Sequence, residues 1–322
     1  MRHPSYILVG LLLHVLFLQF SVHAADKIRI AIPAPGAHFM TFPLAQKKGF
    51  LKEEGLEAEM IRVLGPVALA ALVNGEIDYF TGISFPVRAA IQGLPVRVVA
   101  GYFPSHPSVL VARPEFKSVK ELRGQTMGIA LFGGTSDVIG RMILRHFGID
   151  PEKEMKFLAT GGTETRLAAM KQGLMAATVV SVPIDFHAKN MGFSVLARGY
   201  EIFTYPEGGL ASNIKKIKER PDEIKRVIRA GIKADRYIRG EREGTIQFLM
   251  EWQKINKEIA TATYESLSRV FNDDGSLPEK GLRLVIEENK KLAKVEREVS
   301  FSEVTDLSIL REAQRELGIK GK

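Results

Sequence analysis

The chain has no cysteine among its 322 residues, and this absence excludes several kinds of protein. A disulfide framework, a thiolate metal site and a thiol nucleophile all require cysteine. Stability must therefore come from an ordinary hydrophobic core. A composition that is 45% hydrophobic, over a chain of this length, is enough for two packed lobes of typical domain size.

The common catalytic signatures are absent as well. We find no G-x-S-x-G elbow, no Walker loop, no dinucleotide-binding G-x-G-x-x-G and no H-E-x-x-H. Beyond residue 24 the histidines are His38, His106, His146 and His187, and none is spaced for joint metal binding with a neighbour on one helix. We therefore expect no catalytic residues, no metal and no cofactor, and we predict that the protein is not an enzyme.

A long apolar run occurs only near the start of the chain. Arg2 precedes an apolar run over residues 7–20, and Val22-His23-Ala24 provides the small residues of a leader-peptidase site. The run is shorter than the about 20 residues that a membrane span needs, and no cysteine follows it to carry a lipid anchor. We expect a signal peptide over residues 1–24 that directs the protein to the periplasm. An uncleaved N-terminal anchor is the alternative.

Positive charge is concentrated in one stretch of the chain. The formal net charge is +8, and residues 215–242 contain eleven Lys or Arg against five Asp or Glu. A solvated helical face is the first interpretation of this stretch, and a docking surface is the second. Nucleic acid is not expected as a partner, because Tyr237 is the only aromatic residue there and no known binding module surrounds it.

The chain contains an internal repeat of the order strand, glycine-bearing loop, helix, glycine, strand. Predicted strands over residues 28–32 and 57–63 recur at residues 126–130 and 155–158. Each copy continues with a helix that ends at a glycine, as at Gly75, and then with a buried strand. Two such units predict two α/β lobes, each built on a parallel sheet.

The rest of the chain is expected to complete the first lobe. Beyond a loop at residues 205–209, the pattern predicts helices only, and these must pack on something. We therefore predict that lobe one comprises residues 25–112 and 200–322, and that lobe two comprises residues 113–199. The chain crosses between the lobes at both boundaries, and two crossing strands form a hinge.

Three segments in this order carry a family resemblance: residues 42–56 (FPLAQKKGFLKEEGL), residues 72–78 (LVNGEID) and residues 117–125 (KSVKELRGQ). They resemble the nitrate/sulfonate/taurine group of ABC-transporter substrate-binding proteins, which includes binding proteins for thiamine-pyrimidine precursors. The resemblance covers nearly all of the chain beyond the predicted leader. One departure is that residues 173–177 lack the acidic residue that the family usually has before the strand, and that Asp78 provides in the first copy.

This resemblance implies a type II periplasmic-binding-protein fold, with two Rossmann-like lobes, a two-strand hinge and a helical C-terminal extension on lobe one. It implies a monomer that captures a small organic molecule between its lobes and delivers it to an ABC permease in the inner membrane. A sulfonate, a carboxylate, a similar anion or a heterocycle fits this class. The alternatives are a periplasmic sensor for a membrane receptor and an enzyme of thiamine-pyrimidine synthesis. The resemblance to those enzymes rests on a cysteine-bearing motif, which this chain lacks.

The ligand is expected at the loops that follow the carboxyl ends of the strands, where ligands of open α/β sheets bind. The glycines of residues 133–137 let the backbone approach a ligand, and Thr135 or Ser136 caps a helix whose free N–H groups attract an anion. Ordinary capping is the alternative, and Asp137 argues against a strongly anionic ligand. The candidate ligand-binding residues are Gly36, Ala37, His38, Phe39, Ser84, Phe85, Gly133, Gly134, Thr135, Ser136, Ser181, Val182, Asp185 and Gly208.

The types of these side chains suggest separate roles. His38 and Phe39 suit a planar or apolar part of a ligand. Ser84 and Ser181 occupy equivalent loops of the repeat, where each presents a hydroxyl or merely bonds within its own turn. Asp185 suits a cationic group, or serves as a favourable partner of a helix dipole.

The predicted leader gives a direct test. We expect cleavage after Ala24, so that the mature protein begins at Ala25, because small residues at 22 and 24 satisfy the leader peptidase. Intact-mass measurement of protein exported by a bacterial host checks this, and Ala24→Asp should leave the precursor uncut. A wild-type chain that keeps residues 1–24 would favour the uncleaved anchor.

Overall fold

The computed structural model describes residues 25–320, which form two five-stranded sheets flanked by helices. The strands are β1 (Asp26–Ile32), β2 (Leu56–Arg62), β3 (Tyr79–Gly82), β4 (Val96–Phe103), β5 (Ser108–Ala112), β6 (Thr126–Ile129), β7 (Lys156–Ala159), β8 (Ala177–Ser181), β9 (Ser194–Arg198) and β10 (Gly208–Asn213). The helices are α1 (Thr41–Lys47), α2 (Phe50–Glu53), α3 (Gly65–Asn74), α4 (Ser84–Ile91), α5 (Thr135–His146), α6 (Pro151–Glu154), α7 (Thr163–Lys171), α8 (Ile184–Asn190), α9 (Gly199–Ile202), α10 (Ile214–Glu219), α11 (Pro221–Gly240), α12 (Arg242–Gln253), α13 (Lys257–Leu267), α14 (Glu279–Ala293), α15 (Phe301–Val304) and α16 (Ser308–Glu316). Single turns of 3-10 helix occupy Ala37–Phe39 and Val119–Leu122.

The strand order confirms the predicted repeat. The first sheet has the order β2-β1-β3-β10-β4, and the second has the order β7-β6-β8-β5-β9. In each sheet the first three strands pair in parallel, and they come from equivalent places in the two copies. The repeat therefore builds one half of each lobe.

The sheets are mixed, which corrects the expectation of parallel sheets. Strand β10 runs antiparallel to both β3 and β4, and β5 runs antiparallel to both β8 and β9. Strand β10 also lies where the sequence predicted a loop followed only by helices. Its residues are mostly small, and five of the six are buried between neighbouring strands, so no alternation of apolar and polar residues marks it.

The first lobe boundary differs from the predicted one. Residues 108–112 form β5, a buried strand of the second sheet, so lobe two begins before the predicted residue 113. The chain passes between the sheets at residues 104–107, here called the first crossing, and at residues 199–207, here called the second crossing. The predicted boundary between residues 112 and 113 was wrong because the apolar run of residues 108–112 pairs along its whole length with β8.

The C-terminal helices pack on lobe one, as the sequence predicted. Helix α11 lies against α1, α2, α16 and β4, while α14 and α15 lie against α4. These helices cover the outer face of the first sheet, which the repeat unit alone would leave uncovered. They also make lobe one larger than lobe two.

The basic stretch is balanced by acidic residues of the same chain. Eight of its basic side chains form ion pairs with carboxylates: Lys216, Arg220, Lys225, Arg226, Arg229, Lys233, Arg239 and Arg242. Their partners come from several elements of lobe one, including Asp26, Glu54 and Glu316. This arrangement favours a structural role of the stretch over a docking surface.

The predicted signal peptide, residues 1–24, and its cleavage site lie outside the described residues. Between residues 25 and 320, none of the helices combines the length and the apolar character that crossing a membrane requires. The longest of them, α11, has 20 residues but carries basic residues along one face.

Glu54 connects helix α11 to the end of α2. Its carboxylate accepts hydrogen bonds from Arg229 Nε at 3.0 Å and from Lys233 Nζ at 2.9 Å. Burial alone would raise the pKa of this carboxyl, but the bonds from Arg229 and Lys233 outweigh burial and hold the pKa below its usual value. The folded state therefore gains stability from the ionised carboxylate.

We predict that Glu54→Gln lowers the free energy of unfolding by about 1.5–3 kcal/mol at pH 7, because charge-assisted bonds are lost. Since the folded-state pKa is lowered, this contribution is present above the unfolded value near 4.5 and is lost as the pH falls through the folded value. Urea unfolding of both proteins between pH 7 and pH 3 measures it. Glu53→Gln is the matched control: Glu53 also pairs with Lys233 but is 55% exposed, so its loss should cost less than about 1 kcal/mol. Equal losses in the two variants would contradict the assignment.

Candidate ligand-binding site

His38 lies in the turn that follows β1, beside the two segments that connect the lobes. The Ala37–Phe39 turn buries its imidazole, which is 5% exposed, against Phe39 at a ring-centroid distance of 4.2 Å. Gly36 is required beside it, because a Cβ there would lie 2.4 Å from the imidazole Cε1 atom. The local chain therefore fixes where this ring points.

The two crossings bring two further polar side chains to His38. The amide of His106 in the first crossing donates to the carbonyl of Tyr205, and the amide of Glu207 in the second crossing donates to the carbonyl of Phe103. The rings of His106 and His38 lie 4.9 Å apart, edge to face. A Cβ at the next residue, Gly208, would lie 2.6 Å from the carbonyl oxygen of His38, so only glycine permits this approach.

We call His38, His106 and Glu207 the floor cluster. One ligand atom from each residue lies within 4.8 Å of the others, and all three residues are buried. Within the described chain, Nδ1 of both imidazoles and Oε2 of Glu207 have no hydrogen-bond partner. Buried polar atoms without partners are rare in native proteins, and three of them in one cluster make it the candidate ligand site of the described chain.

Burial controls the charge of the floor cluster. It lowers the pKa of His106 to about 3 and holds the pKa of His38 well below its ordinary value, so both rings are neutral at pH 7. Burial raises the pKa of Glu207 to about 7, although a hydrogen bond from the Thr135 hydroxyl opposes this shift. The cluster alone therefore presents mainly hydrogen-bond acceptors, and it has no fixed positive charge.

Lobe two contacts the floor cluster through Thr135, the first residue of α5. The hydroxyl of Thr135 donates to Glu207 Oε1 at 2.9 Å, which places this predicted residue beside the cluster. Ser136 instead accepts from the amide of Ala130 at 2.8 Å, which is a local bond within the loop.

In the glycine-bearing loop at residues 133–137, a carboxylate of the same segment already occupies one of the backbone amides that could bind an anion. The amide of Gly133 donates to Asp137 Oδ2 at 2.7 Å, and Asp137 pairs with Arg141 at 2.6 Å. Arg88 of lobe one donates to the carbonyl of Gly133 at 2.5 Å and to Asn289 at 2.9 Å. An external anion would compete with Asp137 here, as the sequence suggested.

Ser84 and Phe85 line the lobe-one side of the cleft. The Ser84 and Tyr205 hydroxyls are 3.2 Å apart and both buried, so the serine faces the second crossing. The ring of Phe85 lies under the Arg88 guanidinium at 5.2 Å and contacts the backbone at Gly65.

Ser181 ends β8, Val182 follows it, and Asp185 lies in the first turn of α8. The amide of Val182 donates to the carbonyl of Pro107, and Ser181 pairs with the first residue of β5. Asp185 is 3% exposed and pairs with Arg198 at 3.3 Å, so Arg198 balances its charge within lobe two.

Sequence reasoning did not include His106, Arg88 or Tyr205 among the candidates, and it named Glu207 only as part of residues 207–209, a segment expected to approach a ligand from the hinge side. His106, Tyr205 and Glu207 belong to the crossings, where no strand end or helix start marks them. Their proximity to His38 depends on pairing between distant segments. The only available signal was that Glu207 precedes two glycines.

An open groove also lies on lobe one, beside α1 and α12. Its lining includes Gln46, Arg62 and Trp252. None of its lining residues is among the described buried groups that lack a hydrogen-bond partner. The floor cluster, and not this groove, is therefore the candidate site for a specific ligand.

The arrangement of two α/β lobes around a cleft defines the class of bilobal binding-protein folds. The chain belongs to the NMT1/THI5 like family, which matches residues 37–242. A relative in Bacillus subtilis (strain 168), YtlA, carries the name of a binding protein and is 23% identical over 69% of this chain and 71% of its own.

Solved structures confirm the type II periplasmic-binding-protein fold. The periplasmic aliphatic sulphonate binding protein SsuA from Escherichia coli matches with a TM-score of 0.71 at 20% identity, over 87% of this chain and 92% of its own. The periplasmic nitrate-binding protein NrtA from Synechocystis PCC 6803 matches at 0.70 and 15% identity, over 90% and 89%. The desulfurization enzyme DSZB matches at 0.65 and 12% identity, over 91% and 99%, so this fold also occurs in an enzyme.

The contacts between lobes predict how the cleft opens. Arg88 holds the Gly133 carbonyl, and Arg145 on α5 pairs with Glu288 on α14 at 3.0 Å. Each bond involves a charged group and is worth about 1.5–3 kcal/mol, so losing both should shift the ratio of closed to open molecules at least about tenfold.

The double variant Arg88→Gln/Arg145→Gln should therefore show a larger radius of gyration by small-angle X-ray scattering of the ligand-free protein. The control is Arg283→Gln, because Arg283 is exposed and pairs with Glu279 within α14. An unchanged radius in the double variant would mean that these contacts do not hold the lobes together.

Proposed function

We propose that the protein is an extracytoplasmic solute-binding protein that captures a small organic molecule between its lobes and delivers it to an ABC permease. The observation that carries this proposal is the convergence of His38 from lobe one, Thr135 from lobe two and Glu207 from the second crossing on one buried point. A solute there touches both lobes at once. Membership of the NMT1/THI5 like family and the fold of sulphonate- and nitrate-binding proteins support it.

The chemistry of the cleft favours a solute with hydrogen-bond donors and a planar or apolar part. The unpartnered atoms of the floor cluster are acceptors when the two imidazoles carry their protons on Nε2, and Phe39 and Phe103 provide aromatic walls beside His38. A sulfonate or carboxylate would need the amides before α5, one of which Asp137 already occupies. We therefore rank heterocycles and amines above simple anions.

Capture follows from the two-lobed geometry. A solute that contacts both lobes stabilises the closed form relative to the open form by its difference in affinity for the two. The crossings serve as the hinge, since they are the only connections of the chain between the sheets in the described residues. The closed shape is then the form that the permease recognises, with surface charges setting the docking register.

A thermal-shift screen tests the proposal. The mature protein, refolded to remove carried-over solute and kept in a chelator, is tested against heterocycles, amines, carboxylates, sulfonates and nitrate. A solute at a hundred times its dissociation constant stabilises the folded state by about 2.7 kcal/mol, which raises the melting temperature of a chain this size by roughly 4 °C.

Variants that each lack one hydroxyl test where the solute that raises the melting temperature binds. Ser84→Ala and Thr135→Val remove hydroxyls from the two sides of the cleft and should reduce the shift, whereas Ser302→Ala removes an exposed hydroxyl and should leave it unchanged. Conversion of the bound solute, seen by NMR, would support an enzyme instead. No stabilisation by any class would count against the proposal.

A further inference from the structure

We propose that the floor cluster binds one divalent transition-metal ion of the Zn²⁺ class, with His38, His106 and Glu207 as its three protein ligands. The inference concerns the cleft of the proposed function, but it does not rest on delivery to a transporter. It starts from the three unpartnered buried atoms, one on each of these side chains. A single cation that accepts electron pairs from all three residues explains them together.

The distances are compatible with one ion. Three ligand atoms at about 2.0–2.1 Å from Zn²⁺ lie about 3.3 Å from one another in tetrahedral geometry. The ligand atoms of the floor cluster lie within 4.8 Å of one another, so side-chain movements of about 1 Å close the site. The three residues belong to different segments of lobe one and the crossings, so the ion would also fasten the crossings to the turn after β1.

The set of donors selects the metal. Neutral imidazole suits Zn²⁺, Ni²⁺ and Co²⁺, whereas Mg²⁺ and Ca²⁺ prefer six or more oxygen ligands. Two histidines and one glutamate form a three-ligand set that leaves a coordination position open, unlike closed structural sites with four protein ligands. The open position accepts water or a donor atom of a solute bound in the cleft.

The surroundings support a metal site. Metal-bound carboxylates are oriented by hydrogen bonds from neighbouring residues, and Thr135 donates such a bond to Glu207 Oε1 while leaving Oε2 without a partner. Because Thr135 belongs to lobe two, closure of the cleft and orientation of the carboxylate are coupled. Asp185 and Asp235 also have a buried unpartnered oxygen, but between residues 25 and 320 neither belongs to a cluster of three side chains that could hold a metal ion.

The test is a titration of the chelator-treated, full-length mature protein with Zn²⁺ alone. Binding is measured by isothermal calorimetry and by competition with a chromophoric chelator. We expect one ion per chain, and Co²⁺ should give the strong visible absorption of a four-coordinate ion. Mg²⁺ and Ca²⁺ should not compete. The titration contains no organic solute, so its failure would leave the solute screen unaffected.

Variants separate the site from adventitious binding. His106→Gln and Glu207→Gln should each weaken Zn²⁺ binding by more than the about 10–100-fold expected for Thr135→Val, which removes only the orienting hydrogen bond. The double variant His146→Ala/His187→Ala removes the two exposed histidines of the described chain and should bind like the wild type. Circular dichroism and thermal melts establish that each variant is folded.

Two outcomes would overturn the inference. One is the absence of Zn²⁺ binding, or of a four-coordinate Co²⁺ spectrum, in folded wild-type protein. The other is binding that survives His106→Gln and Glu207→Gln but disappears with the exposed histidines, which would assign the ion to the surface.

Discussion

Two backbone hydrogen bonds hold the second crossing against the first crossing and against the end of β4. They join His106 to Tyr205 and Glu207 to Phe103, and they bring side chains from remote parts of the sequence next to the turn after β1. Without this pairing, the two lobes would share only side-chain contacts across the cleft. The same bonds connect the two segments that link the sheets in the described residues, so the proposed hinge and the candidate site share residues of the crossings.

This arrangement has an energetic cost that a ligand can offset. Burying two imidazoles and a carboxyl without full hydrogen bonding costs roughly 1–3 kcal/mol for each group. A protein selected for stability alone would fill the space with apolar side chains. The free energy of unfolding is therefore reduced at this site, and a bound solute or ion that supplies the missing hydrogen-bond partners restores it.

Much of the fold follows from the sequence, and the reasons for the errors are physical. The repeat was predictable because its strands and glycine-ended helices recur in the same order. Strand β10 was missed because its small residues carry no periodicity, and β5 was assigned to the wrong lobe because a buried strand reads alike in either sheet. At the candidate site, His38 and Thr135 follow strands, and the sequence named them as candidates for that reason. His106 and Glu207 lie in crossings, where only long-range pairing reveals their position.

The difference between the two copies of the repeat also has a structural cause. In the first copy Asp78 accepts a hydrogen bond from the amide of Arg29 and pairs with Lys216 of α10 at 2.6 Å. Helix α10 belongs to the C-terminal extension, which packs on lobe one. Lobe two has no such extension within the described residues, so a carboxylate at the equivalent position, Ala176, would have no Lys216 to pair with. The missing acidic residue is therefore explained by the asymmetry of the lobes.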